Sequence, residues 1–117
     1  MRRPRPHYPK CPVEQTLDVV GGRWKSILLF HLFTNSVLRF GELRRRLPGA
    51  TQRMITLQLR ELERDGCVER IVHPEVPQRV EYSATPYGRT LEPVVDALCS
   101  WGSEHARDAW WNAADVN

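Results

Sequence analysis

Apolar residues recur at three- and four-residue intervals over most of this chain, and that spacing is typical of amphipathic α-helices. The segment from residue 51 to 65 shows it most clearly, since Thr51 is a predicted N-cap and Gly66 follows as the closing residue. One face of this predicted helix carries three aliphatic side chains, those of Ile55, Leu59 and Leu62. The segment should therefore be a helix that buries one side against the rest of the protein.

The opposite face of the same helix is polar and cationic. Its side chains are those of Gln52, Arg53, Thr56, Leu57, Arg60 and Arg64. Arginine pairs with guanine edges or with phosphates, and glutamine matches adenine, so such a face suits a helix that enters the major groove of DNA. An ordinary solvated helix face has the same composition, and the choice between the two interpretations depends on the neighbouring segments.

The segment before this helix predicts a second, shorter helix. Residues 39–47 carry apolar residues at helical spacing with arginines on the outer side, and the pair Pro48-Gly49 ends the helix. Two short helices joined by such a break predict a helix-turn-helix. Its second helix would read the DNA, while the first crosses the sugar-phosphate backbone.

Two segments after the reading helix alternate apolar with polar or charged residues, as half-buried strands do. They are residues 67–72 and 79–84, and the loop between them, HPEVPQ, is rich in turn formers. The order favours a β-wing whose tip places His73, Gln78 and Arg79 near the minor groove or phosphates; a plain surface hairpin is the alternative. The predicted fold class is mainly α with a small β-hairpin wing, a winged helix-turn-helix.

Two further helices are predicted ahead of this unit. They cover residues 12–20 and 23–33, with a break at Gly21-Gly22. Trp24 belongs to the wide apolar face of the second helix and should lie in the core. Lys25 lies off that face and is expected to reach a phosphate, whereas His31 should pack at the edge of the core.

A long amphipathic segment closes the chain. It begins at Thr85, a predicted N-cap followed by Pro86, and continues to about residue 110. A helix of roughly 25 residues would span about 37 Å, which is too long to bury its whole apolar stripe on one small domain. We therefore expect it to pair with a second copy of the chain through Leu91, Val94, Val95, Leu98 and Trp101.

Charge is unevenly distributed along the 117 residues, although the net charge is only +3. Residues 23–60 hold eight basic residues and one acidic residue, whereas residues 61–117 hold five basic and eleven acidic residues. The basic residues thus concentrate on the segment for which DNA contact is predicted. This distribution favours local docking on DNA over non-specific wrapping.

The first ten residues, MRRPRPHYPK, combine arginine and proline without an apolar run. We expect them to form a disordered basic arm ahead of one folded domain over residues 11–117. Such an arm can lie along DNA or stay solvated. It is not a secretion signal, and no apolar stretch approaches the roughly 18 residues of a membrane span, so a cytoplasmic location is expected.

Three widely separated cysteines support neither a disulfide framework nor a zinc site, and no cofactor is expected. Cys67 and Cys99 should be small buried hydrophobes. Cys11 differs, because it begins the first predicted helix after an arginine-rich tail, where the helix dipole and nearby cations would favour an oxidisable thiolate. The sequence leaves open whether Cys11 senses oxidants or has no such role.

Other classes of function have less support in the sequence. An enzyme would need a nucleophile with a base, a metal cluster or a phosphate-binding glycine loop, and the chain shows none of these patterns. RNA binding lacks the exposed aromatic pairs that stack on unpaired bases. A winged helix that binds only proteins is the main alternative, since the same surface can serve that purpose.

Several separate motifs along residues 11–102 resemble those of one family. They are CPVEQTLDVVGGRWKSILLFHL, RFGELRRRLPG, LRELERDGCVER, PEVPQRVEYSATPYGR and ALCSWG. In these motifs the chain resembles the HxlR-type branch of bacterial winged-helix regulators, which is related to the MarR type. The resemblance implies a homodimeric transcription factor that binds an inverted repeat in double-stranded DNA through its reading helix and wing, with the terminal helices forming the dimer.

The resemblance also bears on two single residues. Some members of the family sense quinones, aldehydes or disulfide stress through the cysteine before the Pro-Val pair, which is Cys11 here, and others have no known signal. Relatives often have a polar residue where this chain has Leu57, an apolar side chain that could contact a thymine methyl group. No residue identifies a small-molecule inducer.

Together these observations predict which residues contact base edges and which contact phosphates. Base edges would be contacted by Gln52, Arg53, Thr56 and Leu57. Phosphates would be held mainly by Lys25, Arg39, Arg44, Arg60 and Arg79. Two reading helices of a homodimer would enter successive major grooves about 34 Å apart, so the operator should be palindromic.

Overall fold

Six helices and three strands follow one another along residues 11–105, the part of the chain that the computed structural model describes. The elements are α1 (Pro12–Val20), α2 (Trp24–Thr34), β1 (Leu38–Arg39), α3 (Phe40–Arg46), α4 (Gln52–Arg64), β2 (Val68–His73), β3 (Arg79–Ala84), α5 (Pro86–Arg89) and α6 (Glu92–His105). The mainly α fold with a small wing is thereby confirmed, and the predicted bounds of α1 to α4 agree to within a residue or two. The predicted basic arm, residues 1–10, lies outside the described residues.

The ends of α4 follow from local chemistry, as the sequence predicts. The Thr51 hydroxyl oxygen accepts a hydrogen bond from the backbone N–H of Met54 at 3.1 Å and so satisfies one donor of the first turn. Gly66 has a φ of +81°, a left-handed conformation that a glycine adopts without steric cost. The chain can therefore turn sharply out of α4 into β2.

The sheet contains a strand that the sequence pattern does not predict. The strand order is β1-β3-β2, with both neighbouring pairs antiparallel. In β1, which is two residues long, Leu38 lies opposite Tyr82 of β3. A two-residue strand has no alternation to recognise, and the pairing depends on a partner more than forty positions away in the chain.

One apolar core joins the helices to the sheet. It contains residues from α1 to α4, from β2 and β3, and from α6. Trp24 belongs to it, as predicted, with 8% of its surface exposed. Within residues 11–105, no helix combines the length and the apolar character needed to cross a membrane.

The prediction of one long carboxy-terminal helix is wrong within the described residues. Two helices, α5 and α6, replace it, with a break at Thr90 and Leu91. Pro93 explains the break, because its ring would collide with the carbonyl group of Arg89 in a continuous helix, whereas proline fits the first turn of a new one. The predicted end of that helix, near residue 110, lies outside the described residues.

The start of α5 packs tightly against the beginning of the wing. Thr85 caps α5 by accepting a hydrogen bond from the Gly88 N–H at 2.9 Å, and its hydroxyl donates to the Gly66 carbonyl at 2.5 Å. A Cβ atom at Gly88 would lie only 2.0 Å from the carbonyl oxygen of Cys67. Glycine therefore permits the close approach of α5 to the backbone of Cys67, just before β2.

The prediction for the two later cysteines is half right. Cys67 has no exposed surface, and burial raises the pKa of its thiol. Cys99, in contrast, is exposed on α6. The prediction of burial failed there because α6 is buried only near its start, at Val95, whereas every residue from Asp96 to Trp101 is exposed.

Candidate nucleic-acid interface

The reading helix α4 presents its polar face to solvent because its apolar stripe is fixed in the core. Ile55, Leu59 and Leu62 are at most 2% exposed, as the spacing predicts. Most of the predicted DNA-contacting side chains of α4 are exposed, namely those of Gln52, Arg53, Leu57 and Arg60. The core therefore determines which side of α4 a ligand can reach.

Thr56 is placed differently from its neighbours. It is half-buried, and its hydroxyl group donates a hydrogen bond to the Gln52 carbonyl oxygen at 2.9 Å. This back-bond to the preceding turn is common for threonine in helices and occupies the hydroxyl proton. The oxygen atom can still accept a hydrogen bond from a base.

The turn between α3 and α4 is held by packing against the core. Leu47 is 1% exposed, and its carbonyl oxygen accepts a hydrogen bond from the Ala50 N–H at 3.0 Å. A Cβ atom at Gly49 would lie 3.3 Å from the Trp24 ring, so the indole supports the turn directly. Trp24 thus has a second role, since it packs directly against the turn between α3 and α4.

Arginines surround this turn. The guanidinium group of Arg44 on α3 donates a hydrogen bond to the Gln52 side-chain oxygen on α4 at 3.2 Å. Arg39, Arg45 and Arg46 are also exposed. Arg23 lies over the Trp24 ring with its guanidinium carbon 4.7 Å from the ring centre, which adds a cation beside the turn. The sequence pattern does not identify Arg23, because only tertiary packing brings it to this surface.

The prediction that Lys25 reaches a phosphate is wrong. Its side chain is only 8% exposed, and its ammonium group forms an ion pair with the Glu61 carboxylate of α4. The same contact lowers the pKa of Glu61, mainly through the hydrogen bond from Lys25. The spacing does not reveal this contact, because Lys25 lies off the apolar face of α2 yet faces a second helix and not solvent.

In the wing, two of the residues predicted to approach DNA have acidic partners. Arg79 forms an ion pair with Glu75 at 3.0 Å, and a His73 ring nitrogen lies 2.7 Å from a Glu81 carboxylate oxygen. Gln78 is exposed at the tip, as predicted. The wing therefore offers Gln78 freely, whereas Arg79 would have to exchange Glu75 for a phosphate.

Met54 is an exposed residue of α4 that sequence analysis missed. Its side chain is 40% exposed, close to the 43% of Leu57. It lies neither on the buried stripe nor among the polar residues, so neither pattern identifies it. The exposed face of α4 is thus a mixture of cationic and apolar groups.

Cys11 lies at the start of α1 and is exposed. Its backbone N–H donates a hydrogen bond to the Glu14 carboxylate at 3.3 Å, which helps to define the first turn. Val13 and Leu17 of the same helix are 66% and 56% exposed. A solvent-accessible thiol is therefore adjacent to an uncovered apolar helix surface.

The predicted dimer residues of the carboxy-terminal segment divide into two groups. Val95 is 3% exposed and belongs to the core of the single chain, while Leu91 and Val94 are half-buried. Leu98 and Trp101 are 55% and 62% exposed. Only the latter two offer large apolar surfaces to a second copy.

The helix-turn-helix formed by α3 and α4, followed by the β2–β3 wing, defines a winged helix-turn-helix transcriptional regulator of the MarR type. More narrowly, the chain belongs to the HxlR-like helix-turn-helix family, whose model matches residues 19–109. This confirms the resemblance drawn from the motifs. The relatives of this chain include several HTH-type transcriptional regulators.

Individual relatives support this assignment. The HTH-type transcriptional regulator YdeP of Bacillus subtilis (strain 168) is 57% identical over 95 residues, which cover 81% of this chain and 73% of YdeP. The redox regulator HypR in its oxidized form is 56% identical, with a TM-score of 0.80, over 85% of this chain and 100% of HypR. Its reduced form gives 56% identity and a TM-score of 0.78 over 86% and 97% of the two chains.

Proposed function

We propose that this protein is a homodimer that binds a specific inverted repeat in double-stranded DNA and thereby controls transcription. The observation that carries the proposal is the exposed face of α4, where Arg53 and Arg60 project from a helix whose opposite side is fixed in the core. A rigid helix with exposed arginines suits both bidentate contacts to guanine and contacts to phosphate. The basic surface of α3 lies beside it and would hold the DNA backbone.

The terminal helices support the dimer. Four large apolar side chains on α1 and α6 are more than half exposed, those of Val13, Leu17, Leu98 and Trp101. Pairing with a second copy would remove them from water, which is favourable in proportion to the apolar area buried. A two-fold axis through this pairing would present two α4 helices to successive major grooves.

Selection of bound sequences from random duplex DNA tests the proposal. Reduced protein at near-physiological salt should enrich a palindrome whose half-sites are about one helical turn, roughly 10 base pairs, apart. An Arg53→Ala, Arg60→Ala double variant should lose this enrichment. Arg89→Ala is the matched control, because Arg89 pairs with Glu92 away from α4.

Two results would contradict the proposal in different ways. Weak binding to all sequences that disappears with salt would mean that the basic face is non-specific. The absence of DNA binding at any salt concentration would instead favour a winged helix that binds proteins.

A second proposal concerns Cys11, for which the exposed thiol and the redox regulator HypR among the relatives are the support. With hydrogen peroxide as the oxidant, the Cys11 sulfur would attack one peroxide oxygen. An S–O bond forms and the O–O bond breaks, so that a sulfenic acid and water result. A modified side chain at the start of α1, beside Val13 and Leu17, would change the pairing of the copies and hence the separation of the reading helices.

Two single cysteine variants separate this response from oxidation elsewhere. Cys99→Ser removes the other exposed thiol and should keep the change in operator affinity on peroxide treatment, whereas Cys11→Ser should abolish it. Mass spectrometry must show complete modification of Cys11. An unchanged operator affinity after complete oxidation would exclude the switch and leave the DNA-binding function intact.

A further inference from the structure

The reading helix carries two exposed apolar side chains, Met54 at 40% and Leu57 at 43% exposure. The other exposed positions of α4 are all polar or charged, namely Gln52, Arg53, Arg60, Glu63 and Arg64. Single exposed hydrophobic residues are ordinary on protein surfaces and need no explanation. Two of them on one turn of the reading helix form a small apolar surface between Arg53 and Arg60.

Helix geometry makes these two residues neighbours. Side chains three or four positions apart lie next to each other on a helix, so Leu57 adjoins both Met54 and Arg53. Thr51 fixes the first turn through its hydrogen bond with the Met54 N–H. The apolar pair therefore lies in the amino-terminal half of α4, the part of a recognition helix that contacts base edges.

One group in the major groove matches this surface. The C5-methyl group of thymine is the apolar feature of base-pair edges there, while guanine, cytosine and adenine present hydrogen-bonding groups. Resting on the function proposed above, we propose that Met54 and Leu57 are specificity-determining residues that read thymine methyl groups in each half-site. Arg53, beside Leu57, would supply the polar contact of the same half-site.

Replacing thymine with deoxyuridine tests this inference, since it removes only the methyl group and keeps the base pair. Each thymine of one selected half-site is replaced in turn, and the dissociation constant is measured with reduced protein. At one or two positions the wild-type protein should bind about fourfold more weakly, the effect of one buried methyl group. The remaining thymine positions should show no change.

Protein variants show which side chain meets each methyl group. Leu57→Ala should become insensitive to deoxyuridine at one of the sensitive positions, and Met54→Ala at the other if two are found. Val37→Ala is the matched control, because Val37 is also 43% exposed but lies outside α4. It should respond to deoxyuridine as the wild type does.

Three outcomes would overturn the inference. If no deoxyuridine substitution weakens binding to a selected operator, the methyl groups are not read, although the proposed function stands. If the alanine variants keep the full sensitivity of the wild type, the methyl group acts through DNA shape and not through Met54 or Leu57. If no operator is enriched, the proposed function and this inference both fail.

Discussion

The ammonium group of Lys25 on α2 forms an ion pair with the carboxylate of Glu61 on α4, which ties the reading helix to the core. The two side chains differ in burial, with 8% of Lys25 and 37% of Glu61 exposed. Water can therefore reach the carboxylate, but hardly the ammonium group. The consequences of removing each partner should differ for that reason.

Loss of Glu61 should be the more damaging change, because it leaves a buried charge without a partner. Glu61→Ala is expected to lower the free energy of unfolding by about 3 kcal/mol, and Lys25→Met by clearly less. Urea unfolding measures both. Glu63→Ala, an exposed acidic residue on the same helix, should stay within about 0.5 kcal/mol of the wild type. A larger loss for Lys25→Met than for Glu61→Ala would contradict this account.

The stability of the fold should decrease in mildly acidic solution because of His31. Burial, and secondly the positive charge of Arg46, lower the pKa of His31 below its ordinary value of 6.5. As the pH falls, the unfolded chain therefore takes up this proton before the folded protein does. The contribution of neutral His31 to the free energy of unfolding is complete above the pKa that His31 has in the unfolded chain. It is lost as the pH falls from there towards the lower pKa of His31 in the folded protein.

Thermal unfolding between about pH 7.5 and 5.5 measures this effect, since histidine titrates in that range. His31→Gln should flatten the decline in stability. Arg46→Gln should flatten it only slightly, because burial is the larger cause. Identical pH profiles for the wild type and His31→Gln would show that His31 does not contribute.

Gly88 should tolerate no side chain. An alanine Cβ there would lie 2.0 Å from the Cys67 carbonyl oxygen, so α5 or β2 would have to move. Gly88→Ala is expected to cost about 1–3 kcal/mol, the range for overpacking. Gly102→Ala on α6 is the control, because a Cβ there meets no atom within 4 Å. It should be neutral or stabilising, and a similar loss for both variants would count against the packing explanation.

Arg53 and Arg60 should affect DNA binding in different ways. If Arg53 reads a guanine, Arg53→Ala should cost about 1–3 kcal/mol on the selected operator and relax the preference at one position per half-site. If Arg60 holds a phosphate, Arg60→Ala should weaken binding to all sequences. It should also make the slope of log K against the logarithm of the salt concentration less steep by about one per half-site. Competition binding over a salt series distinguishes these effects. Equal losses on operator and random DNA for Arg53→Ala would refute its reading role.

The three thiols should react with a thiol-specific reagent at two distinct rates. Cys11 and Cys99 are exposed, whereas Cys67 is buried and burial raises the pKa of its thiol. In the native protein two thiols should react quickly, and the third only as the protein unfolds. Spectrophotometric titration of each cysteine-to-serine variant assigns the phases. A fast third thiol in the native protein would contradict the burial of Cys67.

The sequence predicts most of the local structure around the site correctly. The period of the apolar residues identifies α4 and its buried face, and the caps Thr51 and Gly66 define its ends. These features depend on residues close to one another in the chain, so they can be recognised without the fold. Cys11 at the start of α1 is found in the same way.

The wrong or missing predictions share one cause, since each depends on how segments that are distant in the chain pack together. The short strand β1 exists only because β3 lies beside it. Lys25 is outside the apolar stripe of its own helix, yet α4 covers it. Cys99 has the spacing of a buried residue, but α6 is exposed from Asp96 to Trp101 in the single chain. The break before α6 is a different case, since Pro93 marks it within the sequence.

The sequence by itself determined the first four helices, the wing, the cationic face of the reading helix and the family. Those depend on spacing, caps and charge, which each segment carries with it. The tertiary structure decided which charged groups stay free to bind a ligand. Lys25 and Glu61 are 36 positions apart in the chain but form an ion pair in the folded protein. Whether a charge meets solvent or an opposite charge depends on which segments pack together, because burial makes an unpaired charge costly.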